Sequence, residues 1–341
     1  MAKRTTRRIT LARRPDGPVS PDCFALEQSE LPALQDGQVL VETECLSIDA
    51  FIRTVMYEDA FHAPVPLGGL IAALGVGRVI ESASPALAVG DGVFGPLGAQ
   101  TRALMPAARM RKLDERRAPL RAWLGTLGLT SGVTAYFGIR AVGEVKPGDT
   151  VVVSAAAGAV GSLAAQIARI EGGRVIGIAG GADKCRHLTE ELGLDGAIDY
   201  KAGPIDTRLR ELAPEGVDVY FDNVGGAMLD AVLDQIRERA RVVICGAISQ
   251  YEHMEQVRGP SLYLRLAERH ARMEGYAVTH FSERFGEAEK QLAEWMHAGR
   301  LRLHEHVLTG IESFPTAVVT MFTGGHVGKL LVETRADTPD R

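Results

Sequence analysis

No apolar run in the chain approaches the length of a bilayer span, so a membrane-embedded protein is not expected. Cysteine is scarce: Cys23, Cys45, Cys185 and Cys245 stand far apart with no CxxC pair, which leaves neither a disulfide framework nor a four-cysteine zinc lobe. Such usage fits a reducing cytoplasm. Low-complexity linkers are missing too. Nor does either sign of charge dominate, since a net charge of −5 argues against a nucleic-acid surface. The exception is the first fourteen residues, with six basic side chains and no acid. No hydrophobic signal core follows them, and RRITLARRP has the alternation of a first strand rather than of a targeting or nucleic-acid arm.

What is present is enough apolar residue for more than one core: 341 residues, 46% of them hydrophobic, give a prior of two domains. From Ile9 to about Met110 short apolar runs such as QVLVETECLSI and GVGRVIES alternate with Pro, Gly and Asp turns, as in a barrel-like antiparallel domain. From Arg116 to Gly143 the pattern is helical. Beyond Lys146 the runs VVVSA, RVIGIA, AIDY, VDVYFDNV and RVVICGAI alternate with amphipathic segments, which predicts a doubly wound parallel sheet. Ligands of such sheets lie at the carboxyl ends of the strands. Ser282 to Gly299 reads as an amphipathic helix, and GGHVGKLLVE as a turn into a last strand that returns to the first domain.

The stretch DTVVVSAAAGAVG carries the chemistry. Val151–Val153 read as a buried strand, a helical pattern follows from Leu163, and Ala155, Gly158 and Gly161 stand where a dinucleotide fingerprint puts its three small residues. The first glycine of that fingerprint is alanine here. After the next strand, RVIGIA, an NAD-binding chain places an acid for the adenosine ribose. Here Gly180 and Gly181 follow, then Ala182, Asp183 and Lys184. A small turn before a lysine leaves room for a 2′-phosphate and supplies a charge, which favours NADP over NAD.

With GVTAYFGI, SAAAGAVGSLAAQIA, GGADKC, YFDNVGG, CGAIS and ARMEGY in this order, the chain resembles the zinc-independent medium-chain dehydrogenase/reductases. It is most similar to the branch of prostaglandin reductases, leukotriene 12-hydroxydehydrogenases, plant double-bond reductases and bacterial curcumin reductases. RRITLARRPDG and LSIDAFIR extend the resemblance to the N-terminus. It implies an α/β fold, with a Rossmann doubly wound parallel sheet plus a GroES-like β-barrel domain. The GroES-like part would take residues 1–128 and 306–341, and the NADP-binding part residues 129–305. Also implied are frequent homodimers, NADPH as cofactor, a small hydrophobic enone or enal as substrate, and reduction of its carbon–carbon double bond.

Residue roles follow from the resemblance. Gly158, Ala159, Val160 and Gly161 would meet the pyrophosphate. Gly181, Lys184 and Tyr200 would meet the adenosine 2′-phosphate region, and Asn223 would lie along the cofactor. Thr134, Cys245, Gly246, Ala247, Ile248 and Ser249 would line the nicotinamide, with His326 reaching the cofactor from near the C-terminus. Phe51, Arg53, Phe61 and Tyr251 fall on the substrate side, where Arg53 either attracts a carboxylate tail or braces its loop. Phe51, Phe61 and Glu268 replace tyrosines of relatives, which leaves Tyr57 and Tyr263 as candidate proton donors. No metal is expected: Cys45 is near a zinc-ligand position of the zinc-dependent cousins, but LGGLIAALGVG carries no ligand, and His62 reads as a loop histidine. Two other readings stay open, an NADPH-dependent quinone oxidoreductase and a non-catalytic NADPH-binding protein.

Overall fold

The short apolar runs of the N-terminal third are strands in the computed structural model, which describes residues 4–58 and 63–334. In chain order these are β1 (Thr5–Leu11), β2 (Phe24–Glu30), β3 (Gln38–Ser47), β4 (Gly75–Ser82), β5 (Gly92–Gly95), β6 (Arg102–Pro106) and β7 (Arg111–Lys112). The basic start is indeed strand: β1 buries Ile9 and Leu11, pairs antiparallel with β2, and sets Arg8 against Glu27 at 3.0 Å. The ten-residue β3 pairs antiparallel with β4 and β6, burying Val39 and Val41 in an apolar cluster with Val79, Val93 and Ala103.

Two strands from the chain's end join this sheet, β14 (Glu305–Thr309) and β15 (Lys329–Glu333), in the order β14-β15-β3-β4-β5-β7. The return of β15 matches the expectation for GGHVGKLLVE. The parallel β14–β15 pair, with the Phe314–Thr323 helix between its strands, has no counterpart in the sequence pattern, because EHVLT is short and carries no turn signal of a hairpin. One compact unit takes the described residues up to Leu124 and from Glu305 onward, and the other is Gly125–His304.

Within the first unit one buried ion pair ties the returning strand to the segment after β3. Lys329 Nζ donates to Asp49 Oδ1 at 2.7 Å, with the Lys329 side chain 2% and the Asp49 side chain 9% exposed. Ser47 Oγ donates to the other carboxylate oxygen. Charges so enclosed are tolerable only as a pair.

The second unit is built on a six-stranded parallel sheet of β8 (Thr150–Val153), β9 (Arg174–Ala179), β10 (Gly196–Asp199), β11 (Val217–Asp222), β12 (Ile236–Ile244) and β13 (Arg272–Gly275). Its order, β10-β9-β8-β11-β12-β13, reverses direction at β8. That reversal is the switch point at which such sheets open a crevice. Val151, Val152 and Val153 are fully buried, as a central strand covered on both faces requires. The helix after β8 begins at Ala159, before the Leu163 at which its periodicity becomes legible, because Gly161 hides the first turn. None of the described helices is long and apolar enough to cross a membrane.

Lys329→Met, which leaves Asp49 buried without its cation, should cost about 3–5 kcal/mol in urea unfolding. Pairing it with Asp49→Leu should recover most of that loss. Equal destabilisation of the single and double variants would show that packing, not the charge pair, holds β15.

Candidate functional site

The β8 strand ends at Val153, and the chain then turns through Ser154–Gly158 into the twelve-residue helix Ala159–Ile170. Ala155 has φ +47°, a left-handed conformation that glycine adopts with less strain. The position where the fingerprint's first glycine is missing is therefore one that requires a glycine-like backbone. A Cβ on Gly161 would lie 2.3 Å from the Ala155 carbonyl oxygen, and one on Gly158 would lie 3.2 Å from it. Close packing of turn on helix thus leaves no room for a side chain at Gly161, and no side chain caps the helix N-terminus, a kind of helix end that suits an anion.

Beside it, the turns after β9 and β10 are joined. A Cβ on Gly180 would meet the Tyr200 ring at 2.8 Å, so this ring lies directly on bare backbone. Gly181, at φ +98°, leads into the short helix Ala182–Arg186 that carries Lys184. The Gly181 N–H donates to Asp199 Oδ1 at 2.8 Å, and this bond, together with one from the Lys201 N–H, holds the Asp199 carboxyl below the usual carboxylate range. Burial, and then the nearby Lys201 ammonium, lower the pKa of Lys184. Asp183 pairs with Arg186 at the surface.

At the carboxyl ends of β8, β11 and β12 stands Asp222, fully buried. Its Oδ1 accepts Ser154 Oγ at 3.0 Å and the Tyr220 hydroxyl at 2.8 Å, and both carboxylate oxygens accept the Gly225 N–H at 3.1 Å. Its carbonyl accepts the N–H groups of Cys245 and Gly246 at 2.9 and 3.1 Å. Asn223 Nδ2 donates to the Ser154 carbonyl at 2.7 Å, and the Asn223 carbonyl accepts the Ile248 N–H at 3.1 Å. Ser249 Oγ donates to the Val224 carbonyl at 2.6 Å, and the Tyr251 hydroxyl accepts the Ala247 N–H at 3.2 Å. Asn223, Cys245–Ser249 and Tyr251 are therefore one bonded loop cluster at the switch point.

Thr134 joins through the last residue of ARMEGY, a position with no role assigned from the sequence: the Tyr276 hydroxyl donates to the Thr134 carbonyl at 2.7 Å and lies beside the Cys245 thiol. The Thr134 hydroxyl itself donates to the Leu129 carbonyl at 2.7 Å. Burial pushes the Cys245 thiol up to about 12, so it is a neutral packing group at ordinary pH. Tyr263 belongs to this unit as well and is 57% exposed.

Phe51, Arg53, Tyr57 and His326 belong to the first unit. Arg53 is fully buried, with its guanidinium 4.2 Å above the Tyr57 ring, and Nη2 donates to the Gly17 carbonyl and the Tyr57 hydroxyl, both at 2.8 Å. Of its two open roles, burial and these bonds favour the brace. Phe51 packs against the apolar cluster of this unit, and His326 is half-buried in the turn before β15. Phe61 and His62 lie outside the described residues. Glu268 pairs with Arg265 at 2.6 Å.

A parallel sheet with a small-residue turn and a helix N-terminus at its switch point, in a chain with a second, antiparallel unit, is the architecture of dinucleotide-binding oxidoreductases. Residues 7–113 match the family described as the N-terminal domain of oxidoreductase, and residues 159–294 the family described as zinc-binding dehydrogenase. The chain is 43% identical over 334 residues to the putative NADP-dependent oxidoreductase YfmJ of Bacillus subtilis, covering 95% of this chain and 96% of that one. It is 35% identical to the NADPH-dependent curcumin reductase of Escherichia coli, over 98% of this chain and 99% of the relative. The crystal structure of CurA in complex with NADPH from Vibrio vulnificus superposes with a TM-score of 0.91 at 35% identity, covering 97% of this chain and 99% of that one. The chain belongs to the medium-chain dehydrogenase/reductase family, in the branch of the curcumin and prostaglandin reductases.

The residues do not fit the zinc of the second family's description. Among the described residues no group of three or more His, Cys, Asp and Glu is placed to hold a metal ion.

Ala155→Gly should raise stability by about 1 kcal/mol by removing the left-handed Cβ strain, as read by the urea midpoint. Cys45 and Cys245 generate a pH effect. Both thiols are raised from 9.0 to about 12, so the unfolded chain loses protons that the folded one keeps. Stability should therefore fall as pH rises from 9.0 to about 12, and Cys245→Ala should make that fall shallower.

Proposed function

We propose that the protein reduces the carbon–carbon double bond of hydrophobic α,β-unsaturated ketones or aldehydes with NADPH. The observation that carries the reading is the Ala155–Gly161 turn, where no Cβ fits at Gly161 and the helix N-terminus is bare. It is supported by the relatives named for NADPH and curcumin. Gly158–Gly161 would hold the pyrophosphate, Lys184 and Tyr200 the 2′-phosphate end, and Asn223 with Cys245–Ser249 the nicotinamide end. When bound, the cofactor supplies a hydride to the β-carbon.

What the chain adds is position, exclusion of water and a proton. Negative charge develops on the substrate oxygen and needs a donor. Tyr57 suits this role as a phenol whose oxygen is fixed in place by accepting Arg53 Nη2. Phe51, lacking a hydroxyl, suits an apolar substrate.

Oxidation of NADPH followed at 340 nm should proceed with medium-chain enones and a curcumin-like dienone, and more slowly with NADH. Tyr57→Phe should lower kcat by roughly a hundredfold with NADPH affinity unchanged. Turnover of quinones but not enones would overturn the substrate class, and Tyr263→Phe as the more damaging variant would move the proton donor there.

A further inference from the structure

We propose that Asp199 and Lys201, flanking Tyr200 in the turn after β10, make this chain discriminate for a 2′-phosphorylated cofactor. Asp199 is a positioning residue, and Lys201 is a second cation beside Lys184. The inference rests on the NADPH reading above and assigns two residues to it that no fingerprint contains.

The geometry starts from one oxygen. Asp199 Oδ1 accepts the Gly181 N–H at 2.8 Å and the Lys201 N–H at 2.9 Å. Gly181 opens the turn that leads to Lys184, and Lys201 follows Tyr200, so a single carboxylate oxygen sets the spacing between the two turns. The Tyr200 N–H donates to the Ala179 carbonyl at 3.1 Å, which fixes the same junction from the backbone side. The ring of Tyr200 then rests on Gly180, where a Cβ would lie 2.8 Å away.

An acid here runs against binding a phosphate unless its charge is already engaged. Two backbone N–H groups engage it, and they hold the Asp199 carboxyl below its ordinary range. Arg186 pairs with Asp183. Lys184 and Lys201 are close enough that Lys201 adds to burial in lowering the Lys184 pKa. Two ammonium groups that repel each other gain when a dianionic phosphate monoester comes between them, and a cofactor lacking that phosphate relieves nothing.

The test is equilibrium binding of NADPH, NADH, 2′,5′-ADP and 5′-AMP to the full chain by titration calorimetry. Lys201→Met should weaken NADPH and 2′,5′-ADP roughly tenfold and leave NADH and 5′-AMP unchanged. Asparagine keeps a carbonyl oxygen for both N–H groups, so Asp199→Asn should bind NADPH as tightly as the parent or more tightly. Asp199→Ala removes the same charge and the acceptor, and should weaken NADPH severalfold. If Asp199→Asn and Asp199→Ala shift NADPH alike, Asp199 acts by charge alone and the positioning role falls. If Lys201→Met leaves the NADPH/NADH ratio intact, the second cation falls. A parent protein that does not prefer NADPH to NADH would overturn the cofactor reading and this proposal with it. A parent that prefers NADPH, with unresponsive variants, overturns this proposal alone.

Discussion

The loops at the carboxyl end of the second unit's sheet depend on one buried carboxylate. Three strands, β8, β11 and β12, end side by side, and their turns would separate unless something inside held them. Asp222 does so with both ends of the residue: its carboxylate gathers Ser154, Tyr220 and the Gly225 N–H, and its carbonyl takes two N–H groups from the loop after β12. A lone carboxylate in that position would cost several kcal/mol, so the donors around it are a condition for the fold and not an addition to it. Burial and then Asp222 raise the Tyr220 pKa well above the ordinary range, which keeps the phenol a donor.

This arrangement explains why part of the site is legible in the sequence and part is not. The turn at Ala155–Gly161 is a local matter of small residues at fixed spacing, and it is readable even though alanine stands where glycine is usual. The strands beyond it are readable for the same reason, because apolar runs and the turns between them are local. Asp222 and Tyr276 escape such a reading because their partners are remote in the chain. Ser154 is 68 residues from Asp222, and Thr134 is 142 from Tyr276. No spacing announces a pairing that exists only once β8 lies against β11. Asp199 escapes it differently, since an acid at a strand end reads as a turn former until its oxygen is found on two N–H groups.

Arginine and lysine behave alike in the first unit, and neither role could be read from composition. Arg53 and Lys329 are both almost wholly removed from water, although charged residues are normally found there only when paired. Lys329 meets a carboxylate, and the contacts of Arg53 include a carbonyl, a phenolic oxygen and an aromatic face. The ring contact suits the residue type: an ammonium is a compact, strongly hydrated point charge, while a planar guanidinium is less hydrated and stacks on a ring. Exchange of the two residue types would therefore fail at both sites despite equal charge.

The two units thus manage buried charge by a shared rule with opposite signs. In the second unit Asp222 is enclosed and neutral donors converge on it, while the half-buried Asp199 is held by two backbone N–H groups. In the first unit cations are enclosed and acceptors converge. Backbone N–H groups drawn inward by an acid are fixed in direction, and fixed turns at strand ends are what an anionic ligand requires, since its own contacts then meet groups that need no reordering. The same acids do not repel that ligand strongly, because each has its field spent on donors within 3.1 Å. A site for a phosphate can for this reason be framed by aspartates, provided that they face the protein and the lysines face outward.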